Sequence, residues 1–234
     1  MFYTIRESMD LKIVGKFFQS EDILNYLADD PRFLNNVYFK KIDFIPITPI
    51  PILHKKAKIT DLISNVNGGS GLHLVMSEKL KNIIIKYRST GLQFFKTSIV
   101  KDGVNFDNYF SLNMYDDDNE SIDFSKTIIN YRKYNPGLIK ESKLITVASL
   151  CEFEKLLENR NMFDEIIFEN IFILDNKNID FFMIKHPLKY IVSEKLKKEI
   201  EDAGCTGIEF QPVELSYQEW TMPGGEREKI YGKI

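Results

Sequence analysis

The sequence is poor in the residues from which covalent and metal sites are most often built. It contains 2 Cys and 3 His among 234 residues. Cys151 and Cys205 form no CxxC pair and have no histidine nearby at metal-ligand spacing. His54, His73 and His186 lie far apart in the chain, and none has a second ligand three or four residues away. We therefore interpret both cysteines as packed, reduced thiols and expect no metal, cofactor or catalytic cysteine.

Long apolar runs and an excess of one charge are also missing. No uncharged stretch approaches the ~20 residues of a membrane helix, and the start lacks the basic and apolar regions of a signal peptide. The 31 Lys and Arg residues nearly balance 34 Asp and Glu, for a formal net charge of -3. This balance gives no general attraction to nucleic-acid phosphates, and the basic run at 54–58 is typical of a solvated surface. We predict a cytoplasmic protein that binds neither membrane nor nucleic acid.

Motifs of catalysis are absent as well. The run Asn67-Gly68-Gly69-Ser70-Gly71 lacks the spacing of a phosphate-binding loop, and no serine lies in a nucleophile-elbow motif. Residues 116–120 hold four carboxylates but lack the central glycine and distal glutamate of a calcium loop, and they indicate a solvated hairpin tip. We predict that the protein is not an enzyme. The alternative of catalytic groups assembled from distant residues stays open.

What the sequence does contain is one unit twice, at Val75–Thr97 and Ile191–Val213. At an offset of 116 residues the segments share nine identities in 23 positions, where chance gives roughly one or two. The shared residues of the first copy are Ser77, Glu78, Lys79, Leu80, Lys81, Ile84, Thr90, Gly91 and Phe94.

Each copy predicts a helix, a glycine turn and a strand. The serine can cap the helix, and Leu80, Ile83, Ile84 and Tyr87 follow the spacing of a buried helical stripe. The glycine after the helix permits a sharp reversal into an alternating strand. A helix N-terminus can also attract anions, but every shared residue has a role in folding. We therefore interpret the repeated unit as scaffold.

Weaker patterns suggest the remaining elements. We predict strands at 2–5, 11–17, 109–115 and 143–147, a helix starting at Ser20, a helical turn at 58–64 and a helix at 150–159. A hairpin is predicted between 166–174 and 179–184, around Asp175-Asn176-Lys177-Asn178. The tail after Val213 is predicted to be a loop or only partly ordered.

These elements predict an α+β protein with mixed or antiparallel sheets covered by helices. We place an N-terminal lobe at 1–138, with the first copy at 75–97. A C-terminal lobe at 139–234 holds the second copy at 191–213. The division falls near Asn135-Pro136-Gly137, which interrupts the pattern.

The second copy carries a family resemblance. The stretches Tyr190–Lys197 and Gly204–Pro212 resemble the C-terminal signature of the myxobacterial-type immunity proteins, a family of bacterial polymorphic toxin systems. The family's strand pair before the signature is similar to Phe172–Asp175 and Ile179–Ile184. The resemblance covers roughly the last third of the chain, and its motif consists of folding residues. It implies a non-enzymatic protein that binds and neutralises a cognate toxin by occlusion.

That function predicts a contact surface. Acidic side chains would suit a toxin with a cationic groove, and exposed aromatic side chains would be natural anchors. The expected partner-binding residues are Asp116, Asp117, Asp118, Glu120, Tyr217 and Trp220. The alternative is an enzyme or a small-ligand-binding protein that uses a cleft between the two lobes.

Overall fold

A computed structural model of the chain describes residues 1–64, 72–135, 138–174 and 178–233. Within these ranges the strands are β1 (Phe2–Glu7), β2 (Ser20–Leu24), β3 (Ile50–Leu53), β4 (Leu62–Ile63), β5 (Val75–Ser77), β6 (Leu92–Lys101), β7 (Val104–Met114), β8 (Ile128–Asn135), β9 (Leu138–Ile145), β10 (Glu165–Asn170), β11 (Phe181–Ile184), β12 (Lys189–Ser193) and β13 (Ile208–Pro212). The helices are α1 (Leu11–Val14), α2 (Glu78–Tyr87), α3 (Leu150–Glu158), α4 (Glu194–Asp202), α5 (Tyr217–Thr221) and α6 (Glu226–Tyr231). The glycine-rich run at 67–71, residues 136–137 and residues 175–177 lie outside the described residues.

The α+β fold predicted from the sequence is confirmed. Helix accounts for about 23% of the chain and strand for 35%, and the sheets are mostly antiparallel. The strand orders are β11-β12-β1-β13, β10-β8-β9 and β2-β3-β6-β7-β5-β4. The pair β3 and β6 is parallel, which makes the six-stranded sheet mixed.

Two four-stranded modules of the same order lie within these sheets. The first module is β4-β5-β7-β6 with α2, and the second is β11-β12-β1-β13 with α4. All neighbouring strands of both modules are antiparallel. In each module a helix connects two parallel strands that flank a central antiparallel strand. Whether the two arose by duplication stays a prediction.

The central strand of the second module comes from the N-terminus. Tyr3 of β1 lies opposite Val192 on one side and Pro212 on the other, so the first strand of the chain separates two of the last strands. In the first module the central strand β7 follows β6 directly in a hairpin. The division into lobes at 1–138 and 139–234 stays a prediction; it falls within β9, which pairs with β8.

The two modules share one apolar core. Leu80 and Ile84 of α2 and Leu196 and Ile200 of α4 are buried in the same cluster, together with residues of β1, β5, β7, β11, β12 and β13. The leucine and isoleucine side chains that the two copies share therefore lie in the core between the modules. Burial of side chains of this size stabilises a fold by about 1.5–3 kcal/mol each.

Both repeat helices begin with the same arrangement of hydrogen bonds. The hydroxyl oxygens of Ser77 and Ser193 each accept a hydrogen bond of 3.2 Å from an amide of the first helical turn. Each hydroxyl donates at 2.6 Å to an aspartate that immediately precedes a strand, Asp61 before β4 and Asp180 before β11. The serine amides donate to the carbonyls of the same aspartates, at 2.8 and 2.9 Å. The serine caps predicted from the sequence are thus confirmed, with an aspartate behind each.

The glycine turns are confirmed as well. Gly91 and Gly207 have φ angles of 77° and 81°, a region that costs other residues energy. A Cβ atom on Gly207 would lie 2.5 Å from the carbonyl oxygen of Leu62. The second glycine therefore also permits close approach of the first module.

Three predictions for the N-terminal part are wrong. Residues 11–14 form a helix instead of a strand, and Ser20–Leu24 is a strand instead of the start of a helix. The predicted helical turn at 58–64 contains strand β4. The reason is tertiary: β2 pairs with β3 and β4 pairs with β5, and these contacts override local propensity.

Three later predictions are also wrong. Strands β10 and β11 lie in different sheets, so residues 166–174 and 179–184 form no hairpin. The acidic run at 116–120 is not a hairpin tip, because β7 before it pairs with β5 and β6, whereas Ile122 after it bridges to Ile173. The tail after Val213 is ordered into α5 and α6.

Candidate functional site

The acidic run at 116–120, called the acidic loop below, joins the two modules. It begins two residues after the end of β7, where the amide of Asp116 donates to the carbonyl of Gly91 at 3.1 Å. Two residues later the amide of Asp118 donates to the carbonyl of Met183 on β11 at 2.8 Å. The loop is thus held at both of its sides by backbone hydrogen bonds.

The side chain of Arg88, at the end of α2, holds the acidic loop in place by hydrogen bonds. Its Nη1 donates to the Asp118 carboxylate at 2.7 Å and to the carbonyl of Phe181 at 3.1 Å, while Nε donates to the carbonyl of Thr90 at 3.0 Å. The Arg88 side chain is 12% exposed and that of Asp118 is 17% exposed. Ion pairs with this much burial are screened less than surface pairs. Asp118 therefore stabilises the loop.

The other predicted acidic residues face solvent. Asp116, Asp117 and Glu120 are exposed, and Asp116 lies 3.9 Å from the Arg88 guanidinium. The structure thus brings the four predicted carboxylates together on one loop, with three of them accessible to a partner.

A groove of about 530 Å³ lies beside the acidic loop. Its floor is apolar and its rim carries three carboxylates, since it is lined by Ile122, Phe124, Leu150, Leu174, Glu120, Asp123 and Glu154, among others. Asp123 is close to Lys126, at 2.9 Å. Cys151, in the first turn of α3, also lines the groove and is exposed, so the prediction that it is packed is wrong. Its neighbour Phe153 supplies the buried face of α3 instead.

The two predicted aromatic anchors have opposite environments. Tyr217 is 54% exposed, and its ring centre lies 4.8 Å from the Arg6 guanidinium. Trp220 is 0% exposed and packs edge-on against Tyr231 at 6.0 Å, so the prediction of an exposed anchor is wrong. The cause is the helix at 217–221, which begins at a capping box on Ser216 and turns Trp220 inward.

Two polar side chains that no sequence motif marks, the half-buried Gln93 and the buried Glu209, hold the connecting segments. Gln93 and Glu209 occupy matching positions of the two copies. Gln93 accepts from the amide of Ile42 at 3.0 Å and donates to its carbonyl at 2.7 Å. Glu209 accepts from the amide of Met9 at 2.8 Å and pairs with Arg227. The sequence signal that could have identified Gln93 and Glu209 is a polar residue at the same position of a half-buried strand in both copies.

Metal clusters and membrane helices were also sought in the described ranges. These ranges hold no group of three or more His, Cys, Asp or Glu side chains that could bind a metal ion. Among the helices of the same ranges, none has the length and apolarity needed to cross a membrane.

Comparison with known proteins adds no assignment. The chain matches no protein-family model, and it matches no curated protein.

Proposed function

We propose that the protein is a non-enzymatic, cytoplasmic immunity protein that binds a cognate bacterial toxin and blocks its active site by occlusion. The resemblance of the second copy to the myxobacterial-type immunity signature supports this function. The observation that carries it is the acidic loop, in which the pair Arg88–Asp118 holds the backbone while Asp116, Asp117 and Glu120 stay exposed. A surface held in place before binding loses little conformational entropy when a partner docks.

The groove beside the loop supplies the apolar part of such an interface. Protein interfaces combine an apolar centre with a polar rim, and here Ile122, Phe124 and Leu150 lie next to Glu120 and Glu154. Carboxylates on the rim would accelerate association with a cationic toxin and give it specificity. The partner we propose is therefore a toxin whose active-site groove is basic, such as a nuclease.

A growth assay tests the function. The full chain is co-expressed with the toxin domain encoded by the neighbouring gene, and rescue of growth is expected. Purified components should form a complex whose association rate falls as salt rises. Failure to rescue growth, together with no complex at low salt, would refute the immunity function.

Charge-neutralising variants test the surface. Asp116→Asn, Asp117→Asn and Glu120→Gln combined should lower toxin affinity about tenfold or more, mainly through slower association. The matched control combines Asp29→Asn, Asp43→Asn and Asp107→Asn, which remove the same charge from exposed positions elsewhere. Equal losses in the two triple variants would show that only net charge matters and would exclude the acidic loop as the contact surface.

A further inference from the structure

One face of the second module gathers hydrogen-bond donors. Side chains alternate along β1, so Thr4 and Arg6 share a face. Thr4 lies opposite Ile191 of β12 and Arg6 lies opposite Glu209 of β13. The β1–β12 register, extended by two residues, places Arg6 opposite Lys189, the first residue of β12. Two cationic side chains therefore neighbour each other across the strands.

The carboxylate of Glu209, directly opposite Arg6 on β13, is already occupied. Both oxygens of Glu209 accept hydrogen bonds of 2.7 Å from Arg227. Arg6 instead donates through Nε to the amide oxygen of Gln211, and the ring of Tyr217 lies over its guanidinium. The terminal nitrogens of Arg6 have no hydrogen-bond acceptor among the residues that the structure describes.

Lys189 has no counter-ion either. In the described part of the chain, no hydrogen bond or ion pair reaches its ammonium group. Burial, and then the charge of Arg6, lower the pKa of Lys189 to about 8. Like charges directly opposite each other on a sheet are destabilising, and an anion between them would remove that penalty.

The hydroxyl of Thr4 is a third possible hydrogen-bond donor, and it is uncharged. The hydroxyl of Thr4 is buried, with the residue 4% exposed, and it has no hydrogen-bond partner in the structure. Buried polar atoms are nearly always hydrogen-bonded. An unpartnered hydroxyl on the same face as two cations is therefore a feature that a ligand would explain.

We propose that Thr4, Arg6 and Lys189 form a binding site for a small oxyanion, a carboxylate or a phosphate group. The guanidinium suits two oxygens of one anion, the ammonium adds a second charge, and the hydroxyl donates a further hydrogen bond. Arg6 and Lys189 are half-buried, which leaves them within reach of solvent and partly desolvated, where charge-assisted hydrogen bonds are strong. The site uses none of the residues of the acidic loop.

Calorimetric titration of the full chain at pH 7 and constant ionic strength tests the site. The probes are inorganic phosphate and N-acetylglycine, with N-acetylglycinamide as the uncharged control. Saturable binding of one equivalent of phosphate or of N-acetylglycine is expected, and no binding of the amide. Which of the two anions binds identifies the source of the oxyanion. Absence of saturable binding by both would overturn the site.

Three variants locate the binding. Lys189→Met keeps the side-chain length and should weaken anion binding at least tenfold. Thr4→Val removes only the unpartnered hydroxyl and should weaken binding several-fold without loss of folding. Lys198→Met, at an exposed position of α4, is the matched control and should bind like the wild type. Equal weakening by Lys189→Met and Lys198→Met would indicate general attraction and reject the site. Thr4→Val decides the question if Lys189→Met fails to fold.

Discussion

Arg227 donates two hydrogen bonds of 2.7 Å to the carboxylate of Glu209, and both residues are buried. The same carboxylate accepts from the hydroxyl of Ser8 at 3.0 Å and from the amide of Met9 at 2.8 Å. The carboxylate of Glu209 thus connects its own strand β13 with helix α6 and with the segment after β1. The C-terminal helices and the N-terminal segment are thereby fastened to the second module.

Removing one member of the Arg227–Glu209 pair should lower the free energy of unfolding substantially. Arg227→Met leaves the Glu209 carboxylate buried without its counter-ion, and we expect a loss of about 3–5 kcal/mol in the free energy of unfolding. Urea denaturation followed by circular dichroism measures it.

The matched control is Lys229→Met, which removes an exposed cation of the same helix from its pair with Glu226. Exposed pairs contribute about 0–1 kcal/mol. If Arg227→Met costs no more than Lys229→Met, the buried pair does not hold α6 in place.

The sequence predicted those parts of the fold in which local pattern and tertiary structure agree. Ser77 and Ser193 cap helices, Gly91 and Gly207 have positive φ angles, and the helix predicted at 150–159 is α3. In each of these cases the residues that determine the structure lie within a few positions of each other. A sequence pattern predicts a structure correctly where the local preference of the residues agrees with the final fold.

What the sequence did not predict depends on contacts between distant residues. Asp61 and Asp180 support the two serine caps from outside the matched segments, and their separation differs from the repeat offset. Strand β1 inserts between β12 and β13 across nearly the whole chain length. Local pattern contains no information on such pairings, so the order of strands within the sheets could not be derived.

In the candidate site, too, the sequence predicted what depends on local pattern and missed what depends on distant contacts. The density of carboxylates at 116–120 marked the loop, but the role of Asp118 depends on Arg88, 30 residues away. Trp220 was expected at the surface as an aromatic anchor for a toxin. Its burial follows from the capping box at Ser216 and from packing on Tyr231.

The serine–aspartate pairs make a prediction about both modules. Ser77→Ala and Ser193→Ala each remove a cap and leave the aspartate behind it without its hydroxyl donor, so each should cost about 1–2 kcal/mol. Urea denaturation of the single and double variants provides the measurement. Ser125→Ala, which removes an exposed turn hydroxyl bonded to Asp123, should cost less than about 0.5 kcal/mol. A cost for either cap variant no larger than this control would contradict the shared role.

The two aromatic residues of α5 should behave differently on truncation. Trp220→Ala leaves a cavity and should cost about 3–5 kcal/mol, whereas Tyr217→Ala at the surface should cost about 1 kcal/mol or less. Trp220 is the only tryptophan of the chain, so native fluorescence should be blue-shifted and poorly quenched by acrylamide. Red-shifted, fully quenched emission from the folded protein would show that Trp220 is exposed.

His73 is buried between three backbone carbonyls. Its Nδ1 lies 3.0 Å from the oxygen of Leu112, and its Nε2 lies 3.0 and 3.1 Å from those of Leu34 and Val37. Burial lowers the pKa of His73 below its ordinary value of 6.5, although these carbonyls act in the opposite direction. The folded state therefore favours the neutral ring.

The sign of the pH dependence follows from this lowered pKa of His73. The unfolded chain takes up the proton first, so the stabilisation is complete above pH 6.5 and is lost as the pH falls through the pKa of the folded state. The urea midpoint should therefore be lower at pH 5.5 than at pH 7.5. Burial also lowers the pKa of His186, so His73→Gln should abolish only part of the difference. A midpoint that does not fall at pH 5.5, or a full difference retained in His73→Gln, would contradict the assignment.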